Sequence, residues 1–235
     1  MRQIVFDLET TGFRFDEGHR IVEIGAIELV RGAITGKSFH AYVNPERDMP
    51  QGAYEVHGLS EKFLQGFPVF THESVAPAFL EFVGEAELIA HNGLGFDLPF
   101  LNAELVHAKL PEIKNKLIDT LHIARRKFPG SPASLDALCG RFGVNTKERE
   151  RDGHGALLDS RLLAEVYIEL TGGVQAGLAF GAASDGAGAN GSGKRKPAVQ
   201  RQAPLASLVT EEEAAAHAAF IEEFGEGALW HGNAS

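Results

Sequence analysis

The chain has 235 residues, 44% of them hydrophobic, and a formal net charge of −10 at neutral pH. That length supports one good core, the single Cys139 excludes an internal disulfide, and no apolar run reaches the length of a membrane helix or secretory leader. The acidity argues against tight independent binding of nucleic acid, whose affinity grows with the cations that displace counterions, and the expected setting is the cytoplasm.

Residues 2–8 read as the first strand, ending in I-V-F-D-L-E. A strand turns residues two apart to the same face, so Asp7 and Glu9 aim at one spot. Two neighbouring carboxylates raise each other's proton affinity unless a cation sits between them, and hard oxygen ligands suit Mg²⁺ or Mn²⁺. Thr10, Thr11 and Gly12 follow as a turn whose exposed backbone N–H groups could hold a phosphate or a sugar hydroxyl; an ordinary polar strand end is the alternative. Strands near 21–29 and 36–43, a helix near 73–83 and a strand near 87–91 come next.

The stretch H-N-G-L-G-F-D-L-P-F-L begins at His91 and Asn92, a turn feeding a helix near 97–107. Asp97 stands at the helix start, either as a dipole-favoured acid or as a third member of the acidic set at a strand end, where open α/β sheets gather ligands. A short strand near 117–119 and helices near 119–127 and 133–142 follow. Arg125, Arg126 and Lys127 form a basic cluster, read either as a solvated helix end or as a face toward a nucleic-acid strand. Cys139 lies in an apolar helical stretch, as a buried structural thiol does.

His154 and Asp159 are five residues apart in H-G-A-L-L-D. At about 100° per residue a continuous helix would turn them roughly 140° apart, so one must lie outside the helix if they share a site. The glycines at 153 and 155 place His154 in a loop, and Asp159 falls on an amphipathic helix near 156–170. A loop histidine titrating near neutrality can serve as a general base; a solvent-exposed loop histidine is the bland alternative.

In order and context these segments resemble the DEDD-type (DnaQ-like) 3′-to-5′ exonucleases that carry a histidine in the third motif. The likeness runs from about Met1 to Gly173 and includes E-V-H-G-L-S around His57 and S-L-D-A-L-C around Leu135. It implies an α/β fold with a ribonuclease H-like mixed sheet flanked by helices. It further implies that Asp7, Glu9, Asp97 and Asp159 hold two divalent metal ions, Mg²⁺ or Mn²⁺, and that His154 takes the proton from the attacking water. Substrate would be a DNA 3′ end, in contact with Asp7, Glu9, Asp159, Thr10 and His57, with His91 and Asn92 as further candidates for the cleft. One departure stands out: three residues, Gly93, Leu94 and Gly95, separate H-N from F-D where the family commonly has two.

Residues 1–173 are thus expected to form the exonuclease domain. Residues 174–208, rich in glycine and alanine, cannot bury enough surface to offset their ordering entropy and read as a flexible linker. At its start, Gln175 to Phe180 resembles the Q-x-x-L-x-F peptides that bind the bacterial sliding clamp. From 209 to 235 the tail recovers hydrophobicity: a helix capped by Thr210 presents Ala214, Ala218, Ile221 and Phe224, and Trp230 adds an aromatic anchor. In the resembling proteins such a tail binds the polymerase subunit; a helix folded back on the catalytic domain is the alternative. Competing readings of the whole chain are a free-standing DNA or RNA exonuclease, which would not need the tail, and an adaptor, which would not need the intact acids.

Overall fold

The computed structural model describes residues 1–172 and 210–222. Within the first stretch the strands are β1 (Arg2–Thr10), β2 (Ile21–Val30), β3 (Ala33–Tyr42), β4 (Glu87–Ala90) and β5 (Leu117–Asp119). The helices are α1 (Gln51–His57), α2 (Glu61–Leu64), α3 (Ala76–Val83), α4 (Asp97–His107), α5 (Thr120–Lys127), α6 (Leu135–Phe142), α7 (Lys147–Asp152) and α8 (Ala156–Thr171). The sheet order is β3-β2-β1-β4-β5. Strands β1 to β3 form an antiparallel meander, and β4 and β5 add in parallel beside β1. The expected mixed sheet with flanking helices is therefore present.

Alternation along β1 divides the molecule into layers. Ile4, Phe6 and Leu8 face a core shared with Phe79 of α3 and Phe100, Leu101 and Leu105 of α4. Val5 faces the opposite side, where Leu163, Ala164 and Tyr167 of α8 cover it together with Ile27, Leu29 and Ile89. Asp7 and Glu9 share the parity of Val5, so the strand delivers them to the α8 face at the level where that helix begins.

A close approach fixes α8 against the sheet. A Cβ added to Gly25 would lie 2.1 Å from the Ala156 carbonyl carbon and 2.1 Å from the Leu157 nitrogen, so only glycine admits the helix start here. The Ser160 hydroxyl donates to the Gly25 carbonyl at 2.9 Å. Behind α8, Leu138 and Cys139 of α6 pack with Leu162, Val166 and Leu170. Burial pushes the Cys139 thiol up to about 11, as suits an inert structural thiol.

Several boundaries differ from the sequence expectation: β1 runs to Thr10 rather than 8, β3 starts at Ala33 rather than 36, α3 at Ala76 rather than 73, and α6 at Leu135 rather than 133. Pro77 sits in the first turn of α3, where its fixed φ suits the helix, and residues 71–75 form turns instead. Helices α1, α2 and α7 had no apolar periodicity to announce them; α7 reads K-E-R-E-R-D throughout.

The second described stretch is helix α9 (Glu211–Glu222). Glu213 Oε2 accepts from the Thr210 N–H at 2.9 Å while the Glu213 N–H donates to Thr210 Oγ1 at 3.2 Å, a reciprocal cap. None of its residues is buried. The linker 174–208, the peptide at 175–180, Phe224 and Trp230 lie outside the described residues.

Candidate active site

Four carboxylates predicted from three separate segments come close enough to act on one another's charge. Asp7 and Glu9 come from β1, Asp97 is the first residue of α4, and Asp159 lies in the first turn of α8. Asp97 and Asp159 are 3% and 4% exposed. Burial first, then Asp97, Glu9, Asp159 and Glu23, holds the Asp7 carboxyl well above the ordinary range. Glu9 is pushed up to about 8 by burial and by the charges of Glu23 and Asp159, and Asp97 to about 7, mainly by burial. Asp159 is likewise raised by burial, against the opposing pull of Arg149 and His154.

His154 lies between α7 and α8, outside both helices, and its Nδ1 approaches Asp159 Oδ2 at 3.2 Å. The loop placement thus brings together two residues that a continuous helix would have separated. Two further groups reach the cluster that the sequence did not single out. Glu23 of β2 stands opposite Glu9 in the register and is held by the His40 Nε2–H at 2.7 Å. Arg149 of α7 brings its Nε to 3.0 Å from Asp159 Oδ1.

The donor set fits a divalent cation. Asp159 Oδ1 is buried with no hydrogen-bond partner. Ligand atoms of Glu9, His154 and Asp159 lie within 4.8 Å of one another. Carboxylate oxygens that repel one another in a buried cleft are what a hard ion relieves.

The sequence model of the exonuclease family matches residues 4–167. DNA polymerase III subunit epsilon of Rickettsia felis is 54% identical over 74% of this chain and 76% of its own. The subunit of the same name from Escherichia coli K12 is 39% identical over 97% of each chain. The chain belongs to the DEDD-type, DnaQ-like exonucleases. Among solved structures, exonuclease X in complex with 5′ overhanging duplex DNA aligns with a TM-score of 0.57 and 27% identity, covering 72% of this chain and 90% of that one. E. coli exonuclease I with a dT13 oligonucleotide, at 15% identity and a TM-score of 0.60, shares the ribonuclease H-like fold.

The remaining sequence candidates fall into two places. His57 is buried at the end of α1, where its Nδ1 accepts from the Leu59 N–H at 3.0 Å and its Nε2 has no partner. Burial lowers its pKa, and it lines a hollow of about 280 Å³ with Glu23, Tyr42, His154 and Arg161. His91 and Asn92 line a separate hollow with Leu121, Arg125 and Ser134. Arg125 therefore borders a cleft, whereas Lys127 is engaged in capping the Leu170 carbonyl of α8 at 2.8 Å. Among the described helices none is long and apolar enough to cross a membrane.

The turn after β1 is less open than its sequence suggests. The Thr11 N–H donates to the Arg20 carbonyl at 2.9 Å, and the Thr11 hydroxyl accepts from the Arg20 N–H at 3.0 Å. Thr10 Oγ1 donates to the Gly12 carbonyl at 2.7 Å within the turn, so of the backbone donors of this turn the Thr11 N–H is engaged by Arg20.

The lengthened second motif keeps Asp97 in place by a specific turn. Asn92 adopts φ 63°, and Asp119 accepts from the N–H groups of Asn92 at 3.2 Å and Leu94 at 3.1 Å. A Cβ on Gly93 would lie 2.5 Å from Ala90 Cβ, and one on Gly95 2.8 Å from Asn92 Oδ1. The extra residue is thus absorbed in a compact bend before α4.

The crowded acids also set a pH dependence. Glu9 and Asp97 have folded values of about 8 and about 7 against unfolded values of 4.5 and 3.8. Values raised on folding contribute stability that is fully present below about pH 4 and lost as pH climbs through 7 to 8. In chelator the melting temperature of the exonuclease should therefore fall between pH 6 and pH 9 by about 5 °C or more. Added Mg²⁺ should recover most of that loss at the higher pH; a chelated protein with a flat profile would mean that the acids are not mutually strained.

Proposed function

We propose that this exonuclease is the proofreading subunit of a bacterial replicative DNA polymerase, removing mispaired or single-stranded DNA 3′ ends as nucleoside 5′-monophosphates. The observation that carries the reading is the convergence of Asp7, Glu9, Asp97 and Asp159 beside His154 in a chain of this family. Those four acids would hold two divalent cations, Mg²⁺ or Mn²⁺, which when bound stabilise the entering and leaving oxygens of an in-line displacement. His154, exposed at the mouth of the cluster, accepts the proton of the attacking water. Thr10 and His57 would border the path of the terminal nucleotide, a reading supported by the hollow that His57 lines with Glu23 and His154.

His154→Ala should lower turnover by a factor of about 10²–10⁴ while leaving divalent-ion and DNA binding within a few-fold. Single-turnover rates on a mispaired primer, paired with a Mn²⁺ titration, make the check; near-normal turnover removes the base assignment.

The tail reading rests on the relatedness over 97% of the E. coli chain, which extends through the linker and α9. Residues 209–235 would dock the polymerase subunit through the apolar side of α9, the peptide at 175–180 would engage the sliding clamp, and the held enzyme would not need strong DNA affinity of its own. Deleting residues 181–235 should leave nucleotide release largely intact and abolish copurification with a polymerase subunit. Equal loss of both would make the tail part of the catalytic unit.

A further inference from the structure

Arg149 makes contacts that neither the fold nor the hydrolytic chemistry demands. Its side chain is only 9% exposed, although its helix α7 is six residues long and the flanking Glu148 and Glu150 are exposed. Its Nε lies 3.0 Å from Asp159 Oδ1, yet both atoms are buried and neither has a hydrogen-bond partner. The contact is one of charge without alignment, the situation of a carboxylate oxygen shaped for another cation. Its Nη2 meets His154 Nδ1 at 2.7 Å. A guanidinium only donates and a carboxylate only accepts, so Nδ1, also 3.2 Å from Asp159 Oδ2, is contested between the two and cannot accept from Arg149 while it donates to Asp159. One side chain therefore occupies both a carboxylate of the acidic cluster and the histidine beside it.

The surroundings provide for release. Asp136 Oδ1, on the surface of α6, also takes the Arg149 Nη1, so the guanidinium keeps a partner if it leaves Asp159. Gly143 at φ 70° and Gly153 at φ 84° flank the segment that carries α7, giving two points at which the backbone can turn.

We propose that Arg149 is an internal counter-ion of the metal-free site, competing with a divalent cation for Asp159 and freeing His154 only when it is displaced. The inference rests on the reading of Asp159 as a metal ligand. Its energetic logic is substitution: buried carboxylates need an opposite charge, and a resident guanidinium lowers the cost of the metal-free state at the expense of metal affinity. A plain structural pin would instead hold α7 in place and leave metal affinity unchanged on removal, or weaken it by loosening the loop.

The test is calorimetric titration of the intact protein with Mn²⁺ alone, which needs no turnover. Arg149→Gln should tighten Mn²⁺ binding by roughly fivefold or more, the scale of an ordinary coupling between two ligands. The same substitution should lower the melting temperature in chelator and enlarge the rise produced by Mn²⁺. Arg149→Lys keeps the charge without the fork and should tighten binding less; it is the variant to read if Arg149→Gln does not fold. Unchanged or weaker Mn²⁺ binding in the folded variant overturns the counter-ion role while leaving the metal reading intact. Mn²⁺ binding that is unchanged from wild type in the folded Asp159→Asn variant overturns both.

Discussion

Asp7→Asn should abolish nucleotide release, by about 10³-fold or more, and at the same time raise the melting temperature of the metal-free protein. The two effects have one cause. Asp7 lies among Asp97, Glu9, Asp159 and Glu23, and its charged form is disfavoured by burial and by each of them. Removing that charge relieves repulsion in chelator, and it also removes an oxygen that a divalent cation requires. Thermal unfolding with and without Mg²⁺ separates the consequences: the wild type should gain stability from the ion, and the variant should gain little. A variant both inactive and destabilised in chelator would point to lost packing rather than a lost ligand.

Gly25→Ala should be nearly as damaging to activity from a position that touches no substrate. The added Cβ would meet main-chain atoms of Ala156 and Leu157, which cannot swing aside as a side chain can. Gly25 pairs with Asp7 in the β1–β2 register, so displacing α8 moves Asp159 relative to Asp7. Overpacking of this kind costs about 1–3 kcal/mol or more. A misplacement of about 1 Å at a reacting centre costs on the order of 10²-fold in rate. Gly52→Ala is the matched control, because nothing lies within 4 Å of a Cβ there and the residue sits in helix α1. Its stability and activity should stay at wild-type levels; equal damage at both positions would show that glycine loss in general, not the α8 contact, is responsible.

The acid and histidine positions of the candidate site were legible because they obey local periodicities. The two-residue spacing of Asp7 and Glu9 on an apolar strand, the position of Asp97 at a helix start, and the glycines around His154 each constrain one side chain without knowledge of the rest. The order of those segments then matched a family. What escaped was set by tertiary contact. Glu23 sits in an apolar strand run and becomes part of the site only because the β1–β2 register puts it opposite Glu9. Arg149 lies in a run of charges without pattern, and only the fold of α7 against α6 and α8 brings it to Asp159. At the strand-end turn of Thr10, Thr11 and Gly12, the Thr11 N–H is engaged by the Arg20 carbonyl, a tertiary pairing that the strand-end pattern does not announce. Helices α1 and α2 carry aromatic and polar residues without an apolar stripe, and tertiary packing around His57 and Leu64 makes them helical.

The measurement closest to the core of this account is release of mononucleotides from a 3′-mispaired DNA primer, by intact protein and by Asp7→Asn, with Mg²⁺ and with excess chelator. The four-acid site with His154 requires rapid release of nucleoside 5′-monophosphates from the wild type in Mg²⁺, and none in chelator or from the variant. Release that persists in chelator, or that the variant retains, would detach the activity from these carboxylates and leave their convergence without a catalytic role.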